Sequence, residues 1–317
     1  MSRTTTAVTG LLLSTLVSLV ACTGAGTLPG GSPGGSPGSS PGGGSASPGS
    51  SPSDEEIAHP TGADELVLRV EVGGGLVPPG WILSELPTIS IYGDGRVITQ
   101  GPQIELYPGP ALPNLLVSRV SEEGLQRILA DARDAGLLGP DGRFDYPGIV
   151  DAPTTVFTTN AEGATHVVSA YALGLGEDTS VLSPADAAAR ADLADFAARL
   201  GDLPGWLGSD VISAETPYEF DAIRIYAQRA TPVAQDPGPS PSVVDWPLST
   251  PLAAFGDPFR ATAEPALRCG VVAGDDLATI RPALASANQL TWWRSGGETW
   301  SLILRPLLPD ERGCPTE

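Results

Sequence analysis

The first clear alternation of apolar and polar positions begins after residue 64. Leu66-Val67-Leu68-Arg69-Val70-Glu71-Val72 is rich in β-branched residues and reads as a strand. A loop with Gly73-Gly74-Gly75 and Pro78-Pro79 follows. Thr88 to Tyr92 and Arg96 to Thr99 then read as a hairpin closed at Gly93-Asp94-Gly95, because Asp-Gly tolerates the positive φ of a tight turn. A strand over Leu115 to Val120 leads into a helix from about Ser121. Its apolar positions Leu125, Ile128, Leu129 and Ala132 recur at helical spacing, and Gly136 is the expected stop.

The same alternation predicts a second hairpin. It runs from Thr154 to Thr159, turns over Asn160-Ala161-Glu162-Gly163, and returns from Thr165 to Leu173. Ser183-Pro184-Ala185-Asp186 is a helix start, with Ser as cap, Pro in the first turn and an acid three residues on. Leu193, Phe196, Ala197 and Leu200 are its expected buried stripe, ending at Gly201. Asp202 to Tyr218 has weak periodicity, and Phe220 to Gln228 reads as a strand. Leu267 to Leu308 reads as strand, helix, and a hairpin around Ser295-Gly296-Gly297-Glu298. The expected fold class is therefore α+β, mostly antiparallel hairpins with a few packed helices.

The N-terminal fifth follows another pattern. Arg3 and the amino terminus precede an uncharged apolar run from Ala7 to Ala21, the layout of a signal peptide and too short for a comfortable membrane span. That run ends in Leu19-Val20-Ala21-Cys22, which resembles the lipobox of bacterial lipoproteins. The resemblance implies cleavage between Ala21 and Cys22, a diacylglyceryl group on the Cys22 sulfur and often a further acyl chain, palmitate or similar, on the new amino terminus. Two chains, at about 0.8 kcal/mol per buried methylene, suffice for stable anchoring.

Residues 23 to 53 carry no charge, and 26 of these 31 are Gly, Ser or Pro, a composition that builds no core and reads as a coil-like spacer. The organisation expected is thus a signal peptide (1–21), a lipidated Cys and tether (22–63), an α+β domain (64–230), a Pro-rich loop or linker (231–251), and a C-terminal α+β portion (252–317). The Asp-Gly hairpin followed by Ser121-Glu-Glu-Gly-Leu-Gln-Arg-Ile-Leu is also loosely similar to a pattern in exported bacterial proteins, a similarity that implies no activity.

Charge narrows the partners. The 317-residue chain carries −20, and all 17 basic residues are Arg, so lysine chemistry is excluded. Without the leader, 16 Arg against 37 acids leave −21. Such a surface disfavours nucleic acid and anionic headgroups, and favours cationic or basic partners. Cys269 and Cys314 are the only cysteines after Cys22; in an exported protein they are expected to form a disulfide worth about 4 kcal/mol. Free thiols, or half of a metal site, are the alternative, but no His or Cys partners lie nearby in sequence.

No catalytic residue, cofactor or metal site is expected. Histidine-dependent nucleophilic catalysis has only two candidate bases, His59 at the end of the tether and His166 in a predicted strand, on the face of Val168 and Ala170. Carboxylate chemistry, as in an envelope hydrolase, would fall to residues with plainer explanations: Asp275-Asp276 as a helix start, and Asp141, Asp145 and Asp151 at turns. In the last hairpin, a two-residue Gly296-Gly297 turn places Trp293 opposite Trp300 on one face, and sends Trp292 and Arg294 to the other as a candidate ligand platform. The functional expectation is a membrane-anchored, extracytoplasmic, noncatalytic module binding a protein, peptide or envelope polymer. The alternatives are a carboxylate-dependent envelope hydrolase and a passive envelope assembly component.

Overall fold

The computed structural model describes residues 56–175, 178–230, 239–259 and 266–315. The expected signal peptide, Cys22 and the Gly/Ser/Pro-rich run lie outside them. The described residues belong to one compact unit of the α+β class, built on two mostly antiparallel sheets.

The first sheet takes β1 (Leu66–Gly73), β2 (Ile89–Tyr92), β3 (Arg96–Gln100), β4 (Leu115–Arg119), β5 (Gly142–Phe144), β6 (Thr154–Ala161), β7 (Ala164–Tyr171) and β8 (Thr216–Pro217), in the order β5-β7-β6-β1-β2-β3-β4-β8. Every neighbouring pair is antiparallel except β5 with β7. Three helices cover one face: α2 (Glu122–Asp134), α3 (Pro184–Leu200) and α4 (Leu203–Leu207), while α1 (Pro79–Ser84) sits in the connection between β1 and β2. The covered face buries Leu68, Val70, Ile91, Phe157 and Val168 against Leu125, Ile128, Leu193 and Phe196. Phe196 packs on Phe157 at 6.3 Å and, edge-on, against Trp206 at 6.4 Å.

The helix starts are as the sequence reads. Ser121 caps α2 by accepting from Gly124 N, and Ser183 caps α3 by accepting from Asp186 N. Gly136, at φ +81°, closes α2: its N–H reaches Arg133 O while Leu137 N reaches Ala132 O. That pair of bonds is a left-handed helix stop which an L side chain resists. The second hairpin is tighter than expected. Its strands extend through Asn160 and Ala161, leaving Glu162 and Gly163 as a two-residue turn, both with positive φ, whose hand matches the sheet twist.

The second sheet takes β9 (Ala222–Arg229), β10 (Val243–Asp245), β11 (Asp257–Phe259), β12 (Leu267–Ala273), β13 (Trp292–Ser295) and β14 (Glu298–Pro306), in the order β10-β13-β14-β9-β12-β11. The Pro-rich stretch, described from residue 239, contributes β10 to the edge of this sheet, and β9 pairs with β14 and β12. One face of this sheet, with Ile223, Ile225, Trp293, Trp300 and Leu304, is covered by Leu277, Ile280 and Leu284 of α5 (Gly274–Ser286) and by Trp246, Leu252 and Phe255.

The two sheets exchange elements. Leu83 of α1, an excursion from the first sheet, packs with Tyr226, Leu267 and Cys269 on the other face of the second. In return Leu308, after β14, packs on Tyr92 and Ile98 of the first. A disulfide between Cys269 and Cys314, Cα atoms 6.1 Å apart, fastens this C-terminal segment.

The packed chain also begins earlier than composition suggests. Ile57 is buried against α2, its N–H donating to Gln126 Oε1 (2.9 Å) and its carbonyl accepting from Gln126 Nε2 (3.0 Å). A single apolar residue held by one side-chain amide has no periodicity to reveal it.

Candidate functional site

An apolar opening lies between the covered face of the first sheet and the start of the α3–α4 corner. It is a groove of about 380 Å³. The reason is in the α3 sequence. Leu193, Phe196 and Leu200 fill the core, but Ala194, Ala197 and Gly201 face β1 to β4, and they have too little side chain to reach the sheet. Val70, Val72, Ile89 and Val97 form the floor, with Leu200, Leu203 and Pro204 opposite.

Two hydroxyls punctuate this apolar lining. Ser118 on β4 and Thr155 on β6 are 6% and 7% exposed, and neither side chain has a hydrogen-bond partner among the described residues. Thr99 also lines the groove and donates to Glu215 Oε1 at 3.4 Å; Glu215 is exposed at the rim. No Arg lines the groove. An apolar cleft with a few convergent polar groups is what a small-molecule site generally requires. This one offers uncharged hydrogen-bonding groups inside and one negative charge at its edge, which suits an uncharged or cationic ligand with a large apolar part.

Two other crevices are polar, one with its charges mostly paired and one dominated by acids. Between the sheets, Arg96, Tyr218, Asp221, Glu311, Arg312 and Asp64 surround a space of about 380 Å³. There Arg96 pairs with Asp94 (2.9 Å), Arg312 with Asp64 (3.0 Å) and Glu311 with Arg305 (2.6 Å). Burial, with Asp221 and the other acids adding to it and Arg96 opposing it, pushes the Tyr218 phenol up to about 12. Between α2 and α3, Asp131, Asp134, Asp192 and Asp195 gather around Arg199, which pairs with Asp131. Among the described residues no His, Cys, Asp and Glu are grouped as metal ligands.

The residues singled out by sequence are spread over both sheets. Trp293 and Trp300 are opposite each other on β13 and β14, both buried. Trp292 is half-buried on the opposite face, and Arg294 is exposed and pairs with Asp245 at 3.0 Å. His166 shares the face of Val168 and Ala170, with Nδ1 2.7 Å from Gly139 O and a buried Nε2 without a partner. His59 is held against α2 instead of ending a free tether, with Nε2 3.0 Å from Glu122 Oε1 and its side chain only 5% exposed.

Asp141 accepts from Val167 N (2.8 Å), Asp145 pairs with Arg143 (2.8 Å), and Asp151 adopts φ +56°. Asp275 and Asp276 occupy the first turn of α5 but make no side-chain cap, so they act on that helix through charge alone. The groove itself has no sequence motif. Its one trace is the alternation of large residues with Ala and Gly along α3.

No protein-family model, curated protein or solved structure matches this chain. Among the described residues no helix is long and apolar enough to cross a membrane.

Proposed function

We propose that this chain is an exported lipoprotein, anchored through Cys22 to the extracytoplasmic face of a membrane, whose folded part is a noncatalytic binding module. The groove beneath α3 is its ligand site. The observation that carries the reading is the pair of hydroxyls, Ser118 and Thr155, that open without a protein partner into an otherwise apolar cleft. Neither oxygen is sealed from the groove, so both are free to bond and orient a ligand whose apolar part fills the rest of it. The anchor rests on Leu19-Val20-Ala21-Cys22 and on the Gly/Ser/Pro-rich spacer after it. Anchor and spacer together suit a module that samples the layer beside the bilayer.

Both halves are testable. For the anchor, intact-mass analysis of the membrane fraction should find the chain starting at Cys22 with added acyl mass, and Cys22→Ser should leave it uncleaved and unacylated; a mass unchanged by the substitution beyond the Cys-to-Ser difference would end this part of the proposal. For the groove, Ala197→Leu should fill the cleft. Binding of an uncharged apolar fluorophore such as N-phenyl-1-naphthylamine should then weaken by about tenfold, while the melting temperature is kept. Undiminished fluorophore binding in the filled variant would remove the groove as the site.

A further inference from the structure

The antiparallel pairing brings the ends of β1, β3 and β7 and the starts of β2, β4 and β6 to one end of the first sheet. Four connections meet there: residues 74–88, 101–114, 145–153 and 172–183. Hydrogen bonds link three of them: Leu76 N donates to Asp151 O (3.3 Å) and Ala172 N to Pro153 O (2.9 Å). Gln100, the last residue of β3, donates to Leu86 O (2.9 Å), and 101–114 is held to the α5–β13 connection by Gly109 N donating to Gln289 Oε1 (3.2 Å) and Ala111 N to Ala287 O (3.0 Å).

Most of the large apolar side chains that the described residues leave in solvent are on these loops. Leu76 is 85% exposed, Val150 83%, Leu106 72%, Tyr107 70%, Ile104 63% and Trp81 61%. Isolated exposed leucines need no explanation, but a concentration at one end of one sheet marks an interaction surface. Tyr and Trp in that set are the residue types enriched at protein contacts.

Charge identifies the occupant. None of the four loops contains a basic residue, whereas Glu85, Glu105, Asp145, Asp151 and Asp178 are among their described residues. An anionic bilayer surface would be repelled by such a rim, and a basic partner attracted. The first described residues lie at the sheet's other end, where Ala58 O accepts from Glu162 N in the β6–β7 turn.

We propose that this loop end is a docking surface for a basic, amphipathic segment of a protein partner, with apolar side chains covering Leu76, Ile104, Leu106 and Val150 and Lys or Arg meeting the acidic rim. The surface surrounds the groove's open end, since Val72, Thr88, Gln100 and Leu173 line the groove where these loops depart. Docking does not require the groove to be filled.

The test uses the full-length chain carrying Cys22→Ser, which removes the proposed anchor. It is titrated with a short amphipathic helical peptide of Leu and Lys, with its Leu/Glu counterpart, and with phosphatidylcholine vesicles with and without phosphatidylglycerol. Saturable one-to-one binding of the Leu/Lys peptide is expected. The triple variant Leu76→Ser, Ile104→Ser, Leu106→Ser should weaken it by about tenfold or more, and Glu105→Gln with Asp151→Asn should reduce both affinity and its salt dependence. Val243→Ser with Val271→Ser, at exposed apolar positions of the second sheet, should change nothing. Peptide binding that survives the triple variant would reduce the effect to net charge and overturn the proposal. Vesicle binding that the triple variant abolishes would overturn it in favour of a membrane contact.

Discussion

Arg69, on β1, and Asp310, in the segment after β14, meet at 2.7 Å although 241 residues separate them. Tyr92 OH donates to the same Asp310 oxygen at 2.8 Å, and Arg69 Nε donates to Ser90 Oγ at 3.0 Å. Burial alone would lower the Arg69 pKa, but the hydrogen bond and charge of Asp310 outweigh it, and the guanidinium is held charged above its ordinary value. Burial, then the charge of Asp310, push the Tyr92 phenol up, so it stays a donor.

This cluster ties the C-terminal segment to the first sheet, and removing one partner strands the rest. Asp310→Ala should destabilise the fold by about 3 kcal/mol, the low end for breaking a buried pair because Asp310 remains 21% exposed. Asp310→Ala combined with Arg69→Met should cost less than the sum of the two single changes in urea unfolding. Strict additivity would count against the pairing.

The disulfide acts on the same segment by another route. Cys269 and Cys314 are 45 residues apart, and closing a loop of that length in the unfolded chain is worth about 4 kcal/mol. Cys269→Ser with Cys314→Ser should therefore lower the urea midpoint substantially, with the slope of the transition raised as the unfolded chain expands. An unchanged midpoint would show that the Arg69–Asp310 and Arg305–Glu311 pairs hold the segment unaided.

Acid should loosen the N-terminal clasp. The hydrogen bond from His59, helped by Gln126 and opposed by burial, holds the Glu122 carboxyl below its ordinary 4.5. A carboxyl whose folded pKa is depressed contributes stability above the unfolded pKa and loses it as pH falls through the folded one. The melting-temperature gap between the native chain and Glu122→Gln should thus be present at pH 6 and shrink progressively as pH falls below the ordinary carboxyl range. The gap should be small, since the Glu122 side chain is 58% exposed. A gap that persists at the acidic end would mean the carboxylate charge is not its source.

Two turn glycines should separate conformation from space. Gly95 and Gly163 both have positive φ, +80° and +74°. An added Cβ at Gly95 would lie 2.4 Å from Val120 O, whereas nothing is within 4 Å at Gly163. Gly163→Ala should cost only the left-handed penalty of about 1–2 kcal/mol, and Gly95→Ala clearly more, read from denaturant melts. Equal costs would show that the β3–β4 side of the turn yields freely.

Much of the fold is legible in local pattern. The Ser121 and Ser183 caps, the Asp94-Gly95 turn and the Trp293–Trp300 pair follow from spacing, because each is settled by residues within a few positions of one another. The short helices α1 and α4 are not, since neither is long enough to show a period. The groove is harder still. Ala194, Ala197 and Gly201 are ordinary helix residues until a sheet stands opposite them, and Ser118 and Thr155 are ordinary strand hydroxyls until that gap leaves them without partners.

Composition and periodicity by themselves determined the α+β class, most strand and helix positions, the basic-residue inventory of Arg without Lys, and the likeness of Leu19-Val20-Ala21-Cys22 to a lipobox. Those are local or additive properties, readable without knowing what lies across the core. Only the tertiary structure decided that α1 packs on the second sheet and Leu308 on the first, that Ile57 and His59 join the packed part, and that Leu76, Ile104, Leu106 and Val150 share one end of a sheet. Such placements depend on strand order and on contacts between residues far apart in sequence, which no window of local pattern contains.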